Sequence, residues 1–151
     1  MRVLEKIVRY PIKGLSGEEL KKVNLVSGGT IPGDRKFAIA RYESKINEFG
    51  LKFMKKTNFL ALVKDEKLAL LKLFLDLESE HLKIFLGKKK CFSGSLKNEN
   101  DLNRLSEFFC GFLNIDFKKK PKFVRDRSIK KEILKHSFSD IPEKAVSFIN
   151  F

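Results

Sequence analysis

Residues 68–87 read LALLKLFLDLESEHLKIFLG, and this stretch decides the fold class. Residues 82–86 put Leu, Ile and Leu on one side of a chain whose other side carries Lys and Phe, which is the period of a strand. Gly87 then predicts a turn. The apolar run at residues 68–77 is ambiguous, because a short run of this kind fits either a helix or a strand.

Further short strands are predicted on the amino-terminal side, separated by turns rich in Gly and Pro. In the second of these strands, Leu20, Val23 and Leu25 are the expected inward residues. Many short strands with closely spaced turns are typical of a barrel or a sandwich. The predicted strands are residues 2–10, 19–26, 35–42, 51–54 and 59–63.

The pattern changes after Gly94. Residues 98–101 offer N-cap side chains, and apolar residues then recur at helical spacing, which predicts an amphipathic helix ending near residues 111–114. The apolar positions are Leu102, Leu105, Phe109 and Phe112. Residues 115–120 and 122–127 are expected to be extended.

These elements predict a mostly β fold with some α. We expect a small β-barrel-like domain over residues 1–127, which includes the helix near residues 101–113, followed by the truncated start of a second domain at residues 128–151. A last helix capped by Asp140 would be cut off after about two turns. The chain is therefore expected to be a fragment, a truncated product or a barrel that works with a partner.

Composition limits the function classes. Of the 151 residues, 42% are hydrophobic, which excludes a wholly disordered chain. The net charge of +13 attracts polyanions, but a general lysine bias is the favoured explanation, so the charge alone is weak evidence about function. Cys91 and Cys110 are widely spaced and form neither a disulfide framework nor a zinc motif. With no signal peptide and no apolar run that could span a membrane, we expect a cytoplasmic protein.

Two corners, each a junction between a predicted strand and a loop, could bind an anion. Lys13 lies beside Gly14, where small residues let backbone N–H groups approach a phosphate, although these residues alone favour a plain turn. Arg35 begins an apolar strand and could bind phosphate with two donors, although residue type alone favours a simple pair with Asp34. Residues 136–140 contain His, Ser and Asp, but they are too close in sequence to form a catalytic triad.

Together these segments resemble the MOSC proteins, named after the carboxy-terminal domain of the molybdenum-cofactor sulfurase. Members with an amino-terminal β-barrel carry Tyr-Pro-Ile/Val-Lys-Ser after a first strand, which resembles Tyr10–Gly17, and a later turn ending in Gly-Asp-Arg, which resembles Gly29–Arg35. The helix around Leu105–Phe109 is similar to another family segment. Phe138–Asp140 and Val146–Asn150 look like the opening of the MOSC domain itself.

The resemblance implies that the chain binds molybdenum cofactor (molybdopterin), which this chain alone would not necessarily retain. Lys13 and Arg35 would hold the pterin phosphate, assisted by the backbone at Gly14, which stands where the family has Ser. Ser139 and Asp140 would lie near the pterin or the substrate. The cysteine that ligates molybdenum in the family lies further downstream, so no metal-binding or catalytic residue is assigned here.

By this resemblance the chain is the β-barrel part of a molybdenum-dependent oxidoreductase, similar to the amidoxime-reducing component, which would reduce N-hydroxylated compounds once completed by the MOSC portion. Its partner would be an electron-transfer protein or a polypeptide carrying that portion. A sulfur-transfer role is an alternative within the family, and nothing in the sequence argues for pyridoxal phosphate. The alternative from another class is a basic β-barrel module that binds nucleic acid or an acidic protein, with nucleic acid the less favoured partner.

Overall fold

The computed structural model describes residues 4–25, 27, 30–44 and 55–126. They form three small antiparallel sheets and one α-helix, which confirms the mostly β fold with some α. The sheets pair β1 with β2, β3 with β7, and β4 with β5 and β6 in that order. Their bounds are β1 Ile7–Arg9, β2 Glu18–Leu20, β3 Phe37–Ala40, β4 Leu71–Asp76, β5 His81–Leu86, β6 Lys89–Ser95 and β7 Lys122–Arg125.

The three-stranded sheet contains the stretch that decided the fold class. The strand predicted at residues 82–86 is confirmed as β5, and Gly87 lies in the turn after it with a φ of 59°. The ambiguous run divides into a 3₁₀ helix, Glu66–Leu70, and the strand β4. Strand β6 was not predicted, because polar residues surround Phe92, the one large apolar side chain that β6 buries.

The predicted helix is confirmed as α1, Glu99–Leu113. Its N-cap is Asn98, whose side chain accepts a hydrogen bond from the Asp101 N–H at 3.1 Å. It ends at Asn114, which adopts the left-handed conformation. Leu105 and Phe109 are buried on the face that packs against the sheets.

The amino-terminal strands are shorter than predicted. Strand β2 ends at Leu20, and Leu25, an expected inward residue, is 61% exposed because the chain beyond Leu20 pairs with no described strand. Of residues 59–63 only Phe59 forms a bridge, and Val63 lies exposed in a turn. Residues 115–120 contain the 3₁₀ helix Phe117–Lys119 instead of an extended segment. The strand predicted at residues 51–54 lies outside the described residues.

The larger of two hydrophobic clusters joins the sheet of β3 and β7, the three-stranded sheet and α1. It includes Ile12 and Phe37 from the amino-terminal half and Leu82, Ile84 and Phe109 from the carboxy-terminal half. Ile12 also forms a parallel bridge to Phe37, which links the loop after β1 to the sheet of β3 and β7. Within the described residues the sheets approach a barrel but do not close.

The predicted boundary between two domains at residue 127 stays a prediction. Strand β7 pairs with β3 from Phe37↔Arg125 to Ala40↔Lys122, so the chain up to Arg125 packs as part of the β domain. The proposed second segment, residues 128–151, lies outside the described residues. None of the helices in the described part is both long and apolar enough to cross a membrane.

Candidate functional site

The two corners that the sequence singled out lie against each other. The Arg35 N–H donates to the Tyr10 carbonyl at 2.6 Å, and the Phe37 N–H donates to the Pro11 carbonyl at 3.0 Å. The Lys13 N–H donates in turn to the Phe37 carbonyl at 2.8 Å. Two segments separated by 18 residues therefore form one hydrogen-bonded unit, which we call the anion corner (residues 10–14 and 33–37).

The Asp34 carboxylate fixes the position of Arg35 in this corner. One of its oxygens, Oδ1, accepts a hydrogen bond from the Tyr10 N–H at 2.7 Å, and Oδ2 contacts Nη1 of Arg35. The guanidinium carbon of Arg35 also lies 5.5 Å from the centre of the Tyr10 ring. The expected pairing of Arg35 with Asp34 is thus present, but both side chains are mostly buried and the pair is part of the corner's framework.

The backbone of the turn that carries Arg35 is unusual. Gly33 has a φ of 80°, and Arg35 itself has a φ of 47°, in the left-handed region that non-glycine residues rarely adopt. The Arg35 N–H bond to Tyr10 and the side-chain contacts with Asp34 hold this conformation in place. A strained residue held by its surroundings is a common feature of ligand-binding sites.

Lys13 and Gly14 form the other half of the corner. Lys13 is only 3% exposed, and it interacts with other parts of the protein. Gly14 has a φ of 78°, and a Cβ atom there would lie 2.4 Å from the Leu60 carbonyl oxygen and 2.8 Å from Cα of Ala61. Glycine is therefore required here by both conformation and space. Among the described residues no backbone carbonyl accepts a hydrogen bond from the Gly14 N–H.

The next polar residue, Ser16, has a structural contact. Its hydroxyl oxygen accepts a hydrogen bond from the Leu73 N–H at 2.9 Å, which joins the loop to strand β4. A small pocket between Pro11, Ser16, Glu18 and Leu73 has a volume of about 10 Å³. That is room for about one water molecule, so a ring system bound at the corner would extend beyond this pocket.

A second charged cluster includes Lys36 of the corner, and no pattern in the sequence predicts it. The Glu80 carboxylate, 5% exposed as a residue, accepts hydrogen bonds from Lys36 at 3.0 Å and from Arg125 at 2.6 and 2.7 Å. Burial alone would raise the pKa of Glu80, but the hydrogen bonds from Arg125 and Lys36 outweigh it, and the pKa is lowered. Lys36 and Arg125 are 44 and 45 residues from Glu80 in sequence, so only the folded chain reveals the cluster.

The remaining candidates do not join the anion corner. Ser139 and Asp140 lie outside the described residues. Cys91 is in β6 and Cys110 is in α1, where burial raises the pKa of the thiol and so disfavours the thiolate that binds metals. Within the described ranges no group of three or more His, Cys, Asp or Glu side chains could hold a metal ion.

Comparison with known proteins gives one match. The family described as MOSC N-terminal beta barrel domain matches residues 1–111, which include the whole anion corner and most of α1. No curated protein and no solved structure matches the chain.

Proposed function

Because the chain belongs to the MOSC N-terminal β-barrel family, we propose that its anion corner binds the phosphate of molybdenum cofactor and that the chain is the β-barrel part of a MOSC oxidoreductase. The family is associated with this cofactor. The observation that carries the proposal is the fixed position of Arg35, which is held by Tyr10 and Asp34 next to the loop that contains Lys13.

Arg35 is the main phosphate ligand in this proposal. A guanidinium presents five N–H donors in a planar fork, so it can contact a phosphate while Asp34 orients it through Nη1. Holding the side chain in advance reduces the conformational entropy that is lost when the phosphate binds. The left-handed backbone at Arg35 supports the same interpretation, because it is strain at the residue proposed to bind the ligand.

Lys13 and Gly14 complete the phosphate site. The ammonium of Lys13 is held inside the protein, where charges interact more strongly than in water, so it attracts a phosphate at the corner without being exposed. The Gly14 N–H is an additional donor, and the close packing of Gly14 on Leu60 holds that N–H in place. Ser16 is not part of this site, because its hydroxyl already binds β4.

The other parts of the proposed function depend on the resemblance to the family. When bound, the molybdenum centre supplies two-electron redox chemistry, with reduction of N-hydroxylated compounds as the proposed reaction. Ser139 and Asp140 would approach the pterin or the substrate. An electron-transfer protein, or a polypeptide carrying the rest of the MOSC domain, would be the partner. We propose the cytoplasm as the compartment, where Cys91 and Cys110 would remain the free thiols seen here.

The test compares two arginines with similar surroundings. Arg35 pairs with Asp34 and has a side chain 24% exposed, whereas Arg41, which belongs to neither segment of the corner, pairs with Asp65 and has a side chain 20% exposed. We expect the purified chain to carry pterin, measured by the fluorescence of its oxidised form. Arg35→Gln should reduce that pterin by about tenfold or more, since hydrogen bonds to charged groups contribute about 1.5–3 kcal/mol.

Arg41→Gln is the matched control and should leave the bound pterin unchanged. It removes an equally buried ion pair, so it accounts for any decrease that comes only from a weaker fold. A folded wild-type chain that carries no pterin and binds none when molybdopterin is added would contradict the proposal. So would Arg35→Gln protein with as much pterin as the wild type.

A further inference from the structure

The solvent side of the three-stranded sheet carries a regular arrangement of rings and cations. Strand pairing places Lys72 opposite Phe85 and Phe85 opposite Lys90, which forms one row across the sheet. In the next row Phe74 lies opposite Lys83. We call these five residues the outer face, and within its two rows rings alternate with lysines.

Strand periodicity explains why these residues share a face. Successive side chains of a strand point to opposite sides, and directly paired residues point to the same side. The inward positions of the same strands are buried, whereas the lysines of the outer face are exposed. The buried set is Leu71, Leu73, Leu82, Ile84 and Phe92.

Of the two rings of the outer face, Phe74 is exposed and Phe85 is half-buried, and the rings contact each other. Phe74 is 52% exposed, and its ring centre lies 5.6 Å from that of Phe85 in an edge-to-face arrangement. The Lys72 ammonium lies 5.5 Å from the centre of the Phe74 ring. The alternation in residues 82–86 already set Phe85 on the side of Lys83, whereas the ambiguous run at residues 68–77 left the side of Phe74 undecided, so its contact with Phe85 is information that only the fold provides.

We propose that the outer face binds single-stranded nucleic acid. Every base has a π-face, so unpaired bases can stack on Phe74 and Phe85 without regard to sequence. The lysines would contact the phosphates between the stacked bases. Side chains two residues apart on a strand are about 7 Å apart, and neighbouring strands are about 5 Å apart, which is the scale of successive nucleotides in an extended single strand.

The details of the face favour this partner over others. A duplex keeps its bases stacked inside, so it would leave the two rings without a role. A membrane-binding surface segregates a continuous apolar side from its basic side, whereas here rings and lysines alternate. Beyond the two rows, Lys88 and Lys89 at the β5–β6 turn are also exposed. They extend the positively charged surface that a phosphate backbone could contact. This site is separate from the anion corner and does not depend on the cofactor.

The experiment measures fluorescence anisotropy of a labelled oligothymidylate titrated with the whole chain at several salt concentrations. Phe74→Leu and Phe85→Leu keep an apolar side chain but remove the ring, and we expect each to weaken binding by about tenfold, since one stacked base contributes about 1–3 kcal/mol. Lys72→Gln with Lys83→Gln should lower the slope of log affinity against log salt by about 0.7 for each phosphate that the variant no longer neutralises.

The matched control is a second exposed ring beside lysines that lies outside the sheet. Phe117 is 57% exposed and is followed by the exposed Lys118 and Lys119, so Phe117→Leu with both lysines changed to Gln alters ring and charge in the same way. This control should bind the oligonucleotide almost as the wild type does. If it weakens binding as much as the outer-face variants do, the general positive charge explains binding and the proposal is wrong.

Two other outcomes would overturn the proposal. One is equal affinity for the single strand and for a duplex of the same length, because stacking on the rings would then contribute nothing. The other is binding to phosphatidylserine vesicles that requires Phe74 and Phe85 while the oligonucleotide does not bind, which would assign the face to a membrane surface. Unchanged urea unfolding midpoints would verify that the variants are folded, as expected for substitutions on an exposed face.

Discussion

The two halves of this domain are built in different ways. In the carboxy-terminal half, strands β4, β5 and β6 are six or seven residues long and pair along their length, with one register shift between β5 and β6, and α1 packs against β6. In the amino-terminal half the strands have three or four residues, and side chains such as Asp34 and Ser16 make connections that a longer ladder would make with backbone groups. The carboxy-terminal half, which we call the regular half, takes its structure from a repeating pattern of side chains. The structure of the anion corner depends instead on contacts made by individual residues.

This difference predicts where the addition of a single methyl group lowers the stability of the fold most. Gly14→Ala would put Cβ against the Leu60 carbonyl at a φ of 78°, and left-handed strain of about 1–2 kcal/mol would add to overpacking of about 1–3 kcal/mol. We expect a decrease of about 2–5 kcal/mol in the free energy of unfolding, measured with urea. Gly87 has a φ of 59° but open space around it, so Gly87→Ala should cost only the strain. Equal decreases at both positions would mean that the corner is not tightly packed.

The same difference explains what the sequence could predict. The alternation in residues 82–86, the spacing of Leu105 and Phe109, and the cap at Asn98 are local signals, and β5 and α1 follow them. The strand β6 escaped prediction because only Phe92 and Gly94 are buried in it, and neither makes a recognisable alternation.

The site was predicted only in part, for a related reason. Each corner shows a local anion-binding pattern, but no sequence pattern tells that the Arg35 N–H donates to Tyr10 or that Lys13 is buried. The Glu80 cluster was missed entirely, because a glutamate in a turn gives no sign of cations 44 and 45 residues away. Long-range polar contacts are a property of the packed chain and not of any one segment.

Glu80 joins the two halves. Replacing it should lower the free energy of unfolding by less than Gly14→Ala does. It lies in the β4–β5 turn and binds Lys36 of the anion corner as well as Arg125 in β7. Glu80→Gln should lower the free energy of unfolding by about 2 kcal/mol at neutral pH, since it weakens charge-assisted hydrogen bonds in a buried position. Glu78→Gln, in the same turn but exposed, is the control and should have almost no effect.

Acid should remove the same stabilisation. Because the pKa of Glu80 is lower in the folded chain than in the unfolded chain, its contribution is complete above the unfolded pKa and is lost as the pH falls through the lowered folded pKa. Urea unfolding at neutral pH and at increasingly acid pH should therefore show a smaller decrease in stability for Glu80→Gln than for the wild type. If the free energy of unfolding depends on pH in the same way for both proteins, the Glu80 cluster does not stabilise the contact between the two halves.

The smallest effect is expected in the regular half, at the start of α1. Asn98→Ala removes the side-chain acceptor for the Asp101 N–H and should cost about 1 kcal/mol in the free energy of unfolding. The control, Asn103→Ala, is an exposed position within α1, where alanine has the higher helix propensity and should stabilise slightly. Since a helix that is packed by Leu105 and Phe109 does not depend on its cap alone, Asn98→Ala should leave the protein folded and its anion corner intact. A decrease as large as that of Gly14→Ala would mean that the regular half also depends on single residues, and the contrast between the halves would fail.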